Sequence, residues 1–311
     1  MKVNNLKKYY IIMDLEIKKN ILICVFLVNI LWLVSNKIDN FENPVQKIIA
    51  KEVFDDFYAP VYTSLISNNI SNRTKFEVND LIIKTNIKQY SKPYLLDICT
   101  GGGDHLKWLS EENIENLSLT GIDKSEHMLK ETKYRIGKVK KPVRLINKDI
   151  HDDDIFMKST FTHITCYYFS IYYIYNIELL KNIIHWLKPK GYFVVHMVDL
   201  EKFDPILDVA HPFSGINPQK YVKNRITDST VIFKKFVYRS NFVLNEKNAF
   251  FEESFKFKNS PKIREQKHKL VKVDMEEVIN KFGELNMELK SVTNLEDYGY
   301  HHQYILYFQK A

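Results

Sequence analysis

One segment constrains the fold more than any other, the sixteen-residue stretch 94–109 that reads YLLDICTGGGDHLKWL. Its first five residues indicate a buried strand with Asp97 near the carboxyl end. The glycines Gly101–Gly103 then allow a sharp turn with positive φ and let a ligand approach the backbone closely. A helix follows, and we expect Asp104 to cap it. This order fits either a ligand cradle at the strand ends of an α/β sheet or a plain tight connection.

The sequence after this segment alternates between strand and helix. Strand patterns cover 117–122, 143–146, 161–168 and 192–198, and helix patterns cover 125–136 and 176–187. Strands separated by helices of that length form right-handed βαβ units in a parallel sheet. We therefore predict a doubly wound α/β fold.

The rhythm changes beyond Asp199. Strand-like stretches at 231–242, 249–258 and 263–273 have no helix between them, so a small antiparallel insertion is expected within 199–273. A helix at 274–282 and two strands joined through Gly299 then predict an antiparallel hairpin at one edge of the sheet. Before the first strand, 45–66 is expected to be a helix broken near Pro60, and 76–90 a second helix. Together these helices would form an N-terminal cap on a domain spanning 45–311.

The segment 1–44 differs in kind from the rest. Residues 21–34 are apolar except for Asn29 and follow two lysines. The run is shorter than the ~17 to 25 residues that span a bilayer, so a short span, an interfacial anchor and a cleaved signal all stay open. We expect either membrane association through this run or a cytoplasmic protein.

Charge and cysteine content bound the partners. The net charge of +7 includes two basic clusters, 133–148 and 256–272, each with seven Lys or Arg residues. Such clusters suit RNA or lipid headgroups, although a solvated face explains them as well. The three cysteines are far apart and match no metal-ligand or disulfide spacing, so we expect no metal site.

Acidic residues end three successive strands of the predicted sheet. Asp97 ends the first, Asp123 the second and Asp149 the third. Because the carboxyl ends of parallel strands share one rim, these carboxylates are expected to lie together. Asp123 is placed to accept both hydroxyls of a ribose, and Asp149 to accept from the amine of an adenine. Together with the glycine turn they predict a nucleoside-type site.

With these residues in place, the chain resembles the class I S-adenosylmethionine-dependent methyltransferases over roughly 55–311. Asp97, Gly101 and Gly103 match the family's first motif, and Cys99 stands where that motif has its first glycine. A dinucleotide is disfavoured because the third glycine of its fingerprint is missing. The resemblance implies a Rossmann-like, mostly parallel seven-stranded sheet and S-adenosyl-L-methionine as cofactor. The expected cofactor-binding residues are Asp97, Cys99, Gly101, Gly103, Asp123, Lys124, Met128, Asp149, Ile150 and Tyr167.

The methyl acceptor is less constrained. Residues 102–108 resemble the messenger RNA cap guanine-N7 methyltransferases, but Tyr167 and Ile171 stand where that family has Gln and His. A small-molecule or lipid acceptor is therefore favoured over RNA. A catalytically silent methyltransferase-like binding module is a further alternative.

Methyl transfer by in-line displacement needs alignment and desolvation more than a strong acid or base. Tyr168 and Tyr172, after the fourth strand, are the expected catalytic residues because they would line the transfer cavity. Tyr58 and Tyr62 are expected to close over it and contact the substrate. His196 is a further expected substrate contact, with a structural hydrogen-bonding role as its alternative.

Overall fold

A computed structural model describes residues 46–66, 71–152, 154–206 and 218–311. The chain divides into two compact units, 1–46 and 47–311. The predicted membrane segment 21–34 lies outside the described residues. Among the residues that are described, no helix is long and apolar enough to cross a membrane.

Seven α-helices and twelve β-strands make up the described chain. The helices are α1 (Tyr58–Ile66), α2 (Ser71–Thr85), α3 (Asp104–Glu111), α4 (Glu126–Ile136), α5 (Ser170–Ile174), α6 (Ile177–Trp186) and α7 (Met275–Glu284). The strands are β1 (Gln46–Ile49), β2 (Tyr94–Ile98), β3 (Ser118–Asp123), β4 (Val143–Asn147), β5 (Phe161–Cys166), β6 (Leu187–Val198), β7 (Asp228–Ile232), β8 (Phe236–Leu244), β9 (Asn248–Phe257), β10 (Lys262–Val271), β11 (Met287–Asn294) and β12 (Gln303–Lys310).

The central sheet has seven strands in the order β11-β12-β6-β5-β2-β3-β4. Strands β4, β3, β2, β5 and β6 run parallel, while β12 pairs antiparallel with both β6 and β11. This arrangement confirms the predicted doubly wound α/β fold and its antiparallel hairpin edge. Because β2 and β3 pair in parallel, with Asp97 opposite Gly121, the acidic residues that end these strands lie at one rim.

Helix α7 shows how sequence pattern and capping build the outer layer of this sheet. The side chain of Asp274 accepts a hydrogen bond of 2.8 Å from the backbone N–H of Glu277, which caps the helix. Val278 and Phe282 lie on one face and are fully buried. The Phe282 ring packs at 4.6 Å from that of Phe308 in β12. The helix therefore covers the antiparallel edge of the sheet.

A second, five-stranded antiparallel sheet has the order β1-β10-β9-β8-β7. The three strand-like stretches expected between residues 231 and 273 form its centre. The sheet gains β1 from ahead of the first helix, and the backbone N–H of Ala50 donates to the carbonyl of Glu265 at 3.1 Å. This five-stranded sheet is called the second sheet below.

The predicted broken helix over 45–66 is wrong in its first half. Only α1 is helical there, and Asp55 caps it by accepting from the N–H of Tyr58 at 3.0 Å. Pro60 lies in the first turn, where its missing N–H costs no helical hydrogen bond. The aromatic spacing that suggested a longer helix has a different cause: Phe57 packs edge-to-face on Phe255 of the second sheet, with ring centroids 5.3 Å apart.

Candidate active site

The glycine turn between β2 and α3 adopts left-handed backbone conformations at three alternate positions. Cys99 has φ 52°, Gly101 φ 55° and Gly103 φ 74°. Cys99 therefore occupies a conformation that favours glycine, at the place where the family motif has one. The expected cap by Asp104 is wrong. Gly103 is the residue at the helix start, and Asp104 in the first turn instead pairs with Arg135 at 2.6 Å.

Gly101 leaves open space above the turn. A Cβ built on Gly101 would find no heavy atom closer than 3.8 Å. Its backbone N–H donates to Oδ2 of Asp123 at 3.0 Å, and its carbonyl accepts from Oγ1 of Thr132. The turn is thus held on both sides while its outer face stays accessible, which is the shape of a ligand cradle.

Asp123 ends β3 with both carboxylate oxygens held by backbone. Oδ1 accepts from the N–H of Ser125 at 2.9 Å, and Oδ2 accepts from Gly101. Burial raises the pKa of this carboxyl, while these two hydrogen bonds oppose the rise. Each oxygen has a further lone pair, so the group can still accept from a ligand.

Asp97 is buried, and two threonines hold its carboxylate. Oδ2 accepts from Thr100 and Oδ1 accepts from Thr165, each at 2.7 Å. Burial raises the pKa of the Asp97 carboxyl, and these hydrogen bonds counter that effect. Asp97 thereby fixes the start of the glycine turn from below.

Asp149 follows β4, the strand next to the one that Asp123 ends. It pairs with Lys124 at 2.8 Å and accepts from Nδ1 of His151 at 2.9 Å. Burial disfavours the charged form, but the hydrogen bonds from Lys124 and His151 outweigh it and hold the pKa of Asp149 at about 2. The carboxylate is therefore ionised at neutral pH and accepts hydrogen bonds only.

A cavity of about 1320 Å³ lies over this rim, between the central sheet and the second sheet. Many of the predicted site residues line it: Tyr58, Tyr62, Cys99, Gly101, Asp123, Lys124, Met128, Asp149, Ile150 and Tyr168. The sequence had indicated that these positions meet, and the structure brings them together around one space.

The structure places the other predicted site residues outside the wall of this cavity. Gly103 is the N-cap residue of α3, and Tyr167 stacks flat on His105 with ring centroids 3.8 Å apart. The Tyr172 hydroxyl both donates to the carbonyl of Val198 at 3.0 Å and accepts from its N–H at 2.8 Å. Both hydrogen bonds lie inside the core, so the Tyr172 hydroxyl faces Val198 and not the cavity.

His196 lies behind the cavity and is fully buried. Nδ1 donates to the carbonyl of Tyr168 at 2.6 Å, which leaves Nε2 to accept from Nη2 of Arg73 at 3.0 Å. Burial, followed by the neighbouring Arg73 charge, lowers the pKa of His196 to about 3. The neutral ring supports Tyr168 and Arg73 from behind the wall.

Arg73 of α2 lines the cavity and was not predicted from the sequence. Its guanidinium is 4% exposed and pairs with Glu77, Nε to Oε1, at 2.7 Å. It also donates to Gln303 at 3.0 Å, and its Cζ lies 4.9 Å from the centre of the Tyr168 ring. Only the fold shows this site, because Arg73, His196 and Gln303 are far apart in sequence.

The second sheet supplies a polar cluster to the opposite wall, also missed from the sequence. Glu253 of β9 and His268 of β10 line the cavity and are 4% and 3% exposed. Oε2 of Glu253 pairs with Nε2 of His268 at 2.8 Å, and Oε1 accepts from Tyr238 at 2.6 Å. A signal did exist: inward residues of β10 alternate as Arg264, Gln266, His268 and Leu270, an unusually polar buried face.

The residues present fit S-adenosylmethionine. The open cradle over Gly101 admits a ligand against the backbone, and Asp123 and Asp149 present ionisable acceptors to its nucleoside part. Arg73 has five N–H donors, of which the contacts above use three. It is a cation in the wall that is able to pair with the carboxylate of an amino-acid moiety. The described residues include no cluster of three or more His, Cys, Asp or Glu arranged to hold a metal ion.

Known proteins resemble this chain in part of its sequence and in its fold. Residues 95–191 match the family model described as a methyltransferase domain. No curated protein matches the chain in sequence. Among solved structures, a methyltransferase dependent on S-adenosylmethionine from Clostridium acetobutylicum has a TM-score of 0.60 at 16% identity, covering 82% of this chain and 98% of its own.

Two further solved structures share the fold. CalS10, an amino pentose methyltransferase from Micromonospora echinaspora solved with its cofactor bound, has a TM-score of 0.54 at 16% identity, over 84% of this chain and 100% of its own. The sugar N-methyltransferase KedS8 from Streptoalloteichus has a TM-score of 0.52 at 17% identity, over 83% and 93%. Residues 95–191 therefore form a methyltransferase domain, and the chain has the fold of the class I S-adenosylmethionine-dependent methyltransferases, which supports S-adenosylmethionine as the cofactor.

Proposed function

We propose that this methyltransferase acts on a small-molecule acceptor bound in the cavity between the two sheets. The volume of about 1320 Å³ carries the proposal. Pockets for one drug-sized ligand occupy about 300–1,000 Å³, so this space holds a second molecule beside the cofactor. An acceptor in that position would be surrounded by protein and shielded from water.

The cofactor would occupy the side of the cavity formed by the strand ends. Asp123 and Lys124 would border its ribose, and Asp149, Ile150 and Met128 its adenine. Cys99 and Gly101 would contact its middle, and Arg73 its carboxylate. Asp97 and Gly103 would act indirectly by shaping the turn, and Tyr167 by supporting His105 beside it.

The acceptor would occupy the side formed by α1 and the second sheet. Tyr62 lies between the two sides. Burial is the main cause that raises the pKa of its hydroxyl, and the negative charges of Asp123 on the cofactor side and, more weakly, of Glu253 on the acceptor side raise it further. Tyr58 and Phe54 pack around it, with the Phe54 ring 5.6 Å from Tyr58 and 5.4 Å from Tyr62. These rings would exclude water and align the two reacting atoms, which is what the displacement requires.

Two observations favour a small molecule over RNA. Two proteins that share the fold act on sugars: CalS10 is an amino pentose methyltransferase and KedS8 is a sugar N-methyltransferase. The basic cluster at 256–272 is also partly neutralised, since Arg264 pairs with Asp55 at 2.6 Å and Lys267 with Glu252 at 2.8 Å. Paired cations attract the phosphates of a nucleic acid less strongly than free ones.

The test is a transfer assay with methyl-labelled S-adenosylmethionine and a whole-cell extract separated into RNA, protein, lipid and small-molecule fractions. Label in the small-molecule fraction is the expected result, and Asp123→Ala is the matched variant that should reduce it when the cofactor is not saturating. Label in the RNA or lipid fraction would overturn the acceptor class. Cofactor binding without transfer to any fraction would favour a silent binding module instead.

A further inference from the structure

A chain of three hydrogen-bonded side chains connects the second sheet to α5 at the cavity. Tyr173 follows β5 and lies in α5, whereas His268 and Glu253 lie on β10 and β9. The Tyr173 hydroxyl lies 2.7 Å from Nδ1 of His268, and Nε2 of His268 lies 2.8 Å from Oε2 of Glu253. Because a carboxylate only accepts, Nε2 carries the proton and Nδ1 accepts from Tyr173.

The outer member of this chain is the accessible one. Tyr173 is 39% exposed and lines the cavity, whereas His268 and Glu253 are almost fully buried. The Phe54 ring packs edge-on at 6.1 Å from the Tyr173 ring. All three residues border the cavity, and Tyr173 is the member of the chain with the largest exposed surface for an acceptor to touch.

Tyr173 also lies between the two sides of the cavity. Burial raises its pKa well above the ordinary value, and smaller contributions come from Tyr62, Glu253 and Cys99. Cys99 belongs to the glycine turn and Glu253 to the second sheet, so the hydroxyl lies within electrostatic range of both. A raised pKa keeps Tyr173 protonated, which suits a group that passes a proton on rather than one that holds a negative charge.

Glu253 is organised to stabilise a charged imidazole. Besides His268, it accepts from Nε2 of Gln266 at 2.6 Å and from the hydroxyl of Tyr238 at 2.6 Å. Burial opposes ionisation of this carboxyl, but the His268 and tyrosine contacts lower its pKa overall. The titratable groups that face His268 from neighbouring elements are Tyr58 of α1, Tyr173 of α5 and Glu253 of β9. Of these three, Glu253 is the carboxylate.

We propose that Tyr173, His268 and Glu253 form a proton relay that deprotonates the acceptor, and that the acceptor reacts through a hydroxyl or amine that must lose a proton. This proposal rests on the function proposed above. The bond from the acceptor O or N to the methyl carbon forms as the methyl–sulfur bond breaks, and the electron pair of that bond stays on sulfur. The acceptor proton passes to Tyr173 as the Tyr173 proton moves to Nδ1 of His268. Glu253 stabilises the resulting imidazolium until it releases the proton to water.

The first experiment measures single-turnover methyl transfer from labelled S-adenosylmethionine to the small-molecule fraction of a cell extract. Tyr173→Phe should lower the rate about 10²- to 10⁴-fold, the usual contribution of general acid–base catalysis, with cofactor affinity unchanged. The pH profile of the transfer rate should also differ between this variant and the wild type. Tyr134→Phe is the control, because Tyr134 is 83% exposed and outside the cavity wall. An unchanged rate or an unchanged pH profile would overturn the relay.

The second experiment needs no acceptor and separates failure of the relay from failure of the proposed function. Nitrogen-15 NMR of the wild-type protein with S-adenosylhomocysteine should show the neutral His268 ring with its proton on Nε2, because Nε2 faces Glu253 and Nδ1 accepts from Tyr173. Glu253→Gln should weaken the preference for that tautomer. If Nδ1 carries the proton, the relay is wrong even where methyl transfer is observed. If Nε2 carries the proton while no fraction is labelled, the proposed function fails and the relay fails with it.

Discussion

The backbone N–H of Gly101 donates a 3.0 Å hydrogen bond to Oδ2 of Asp123, which ties the glycine turn to the acidic residue that ends the neighbouring strand. The glycine turn and the carboxylate of Asp123 therefore hold each other in place. A change at Asp123 removes an acceptor for the ribose and also loosens the turn on which the middle of the cofactor would rest.

Asp123→Ala should weaken S-adenosylhomocysteine binding about 10- to 100-fold. Hydrogen bonds to a charged group contribute about 1.5–3 kcal/mol, and the buried amide of Gly101 also loses its partner. Isothermal titration calorimetry measures the affinity directly. Asp228→Ala, on the exposed edge of the second sheet, should bind as the wild type does. Equal affinity of the Asp123 variant and the wild type would contradict the assigned role.

Arg73 is expected to recognise the amino-acid end of the cofactor. Arg73→Gln should weaken binding of S-adenosylhomocysteine while leaving 5′-methylthioadenosine, which lacks the carboxylate, nearly unaffected. The comparison is made by calorimetry on one protein preparation. A parallel loss for both ligands would instead mean that Arg73 only supports the fold, through its contacts with Glu77, Gln303 and His196.

Gly103→Ala should destabilise the protein by about 2–4 kcal/mol. The new Cβ would lie 2.5 Å from Cγ2 of Thr132, and φ of 74° is strained for any residue with a side chain. Gly299→Ala is a matched control, since Gly299 has φ of 87° with no heavy atom within 4 Å of the added carbon. Urea unfolding of both variants separates the steric clash from the backbone strain. Equal losses would show that the contact with Thr132 relaxes freely.

Acid should destabilise the protein through its buried neutral histidines. Burial lowers the pKa of His163 to about 3, and burial together with Arg73 does the same for His196. A group whose folded pKa lies below its unfolded value of about 6.5 binds fewer protons when folded. Its stabilising contribution is therefore full above pH 6.5 and falls as the pH drops toward 3.

His163→Leu tests this dependence, because His163 lies in β5 away from the cavity. Between about pH 6.5 and pH 4, the wild-type free energy of unfolding should lose up to ~1.4 kcal/mol per pH unit more than that of the variant. Buried carboxyls such as Asp97, whose pKa is raised, act with the opposite sign in both proteins and cancel in the comparison. Parallel stability curves would show that His163 charges freely in the folded state.

Local patterns in the sequence were sufficient for the strand, turn and helix alternation of residues 94–198. Buried strands and capped helices are encoded within a few residues, and parallel pairing then places Asp97, Asp123 and Asp149 at one rim. That spacing predicted a nucleoside-type site, and the comparisons support the S-adenosylmethionine that the family resemblance implied. The helix over 45–56 failed for a related reason: Phe54 and Phe57 show helical spacing, but their partners are on the second sheet.

The acceptor side, and the Arg73 contact proposed for the cofactor, depended on tertiary structure. Arg73, Tyr173, Glu253 and His268 come from four separate elements, and no local pattern encodes which distant side chains meet. Tyr172 illustrates the same limit. It immediately precedes Tyr173 in α5, yet its hydroxyl lies in the core and donates to the carbonyl of Val198. The sequence by itself determined the sheet, the glycine turn and the nucleoside-binding rim, since these depend on local pattern and strand order. The wall opposite that rim exists only because packing brings distant residues together, as Tyr173 and His268 show across 95 positions of the chain.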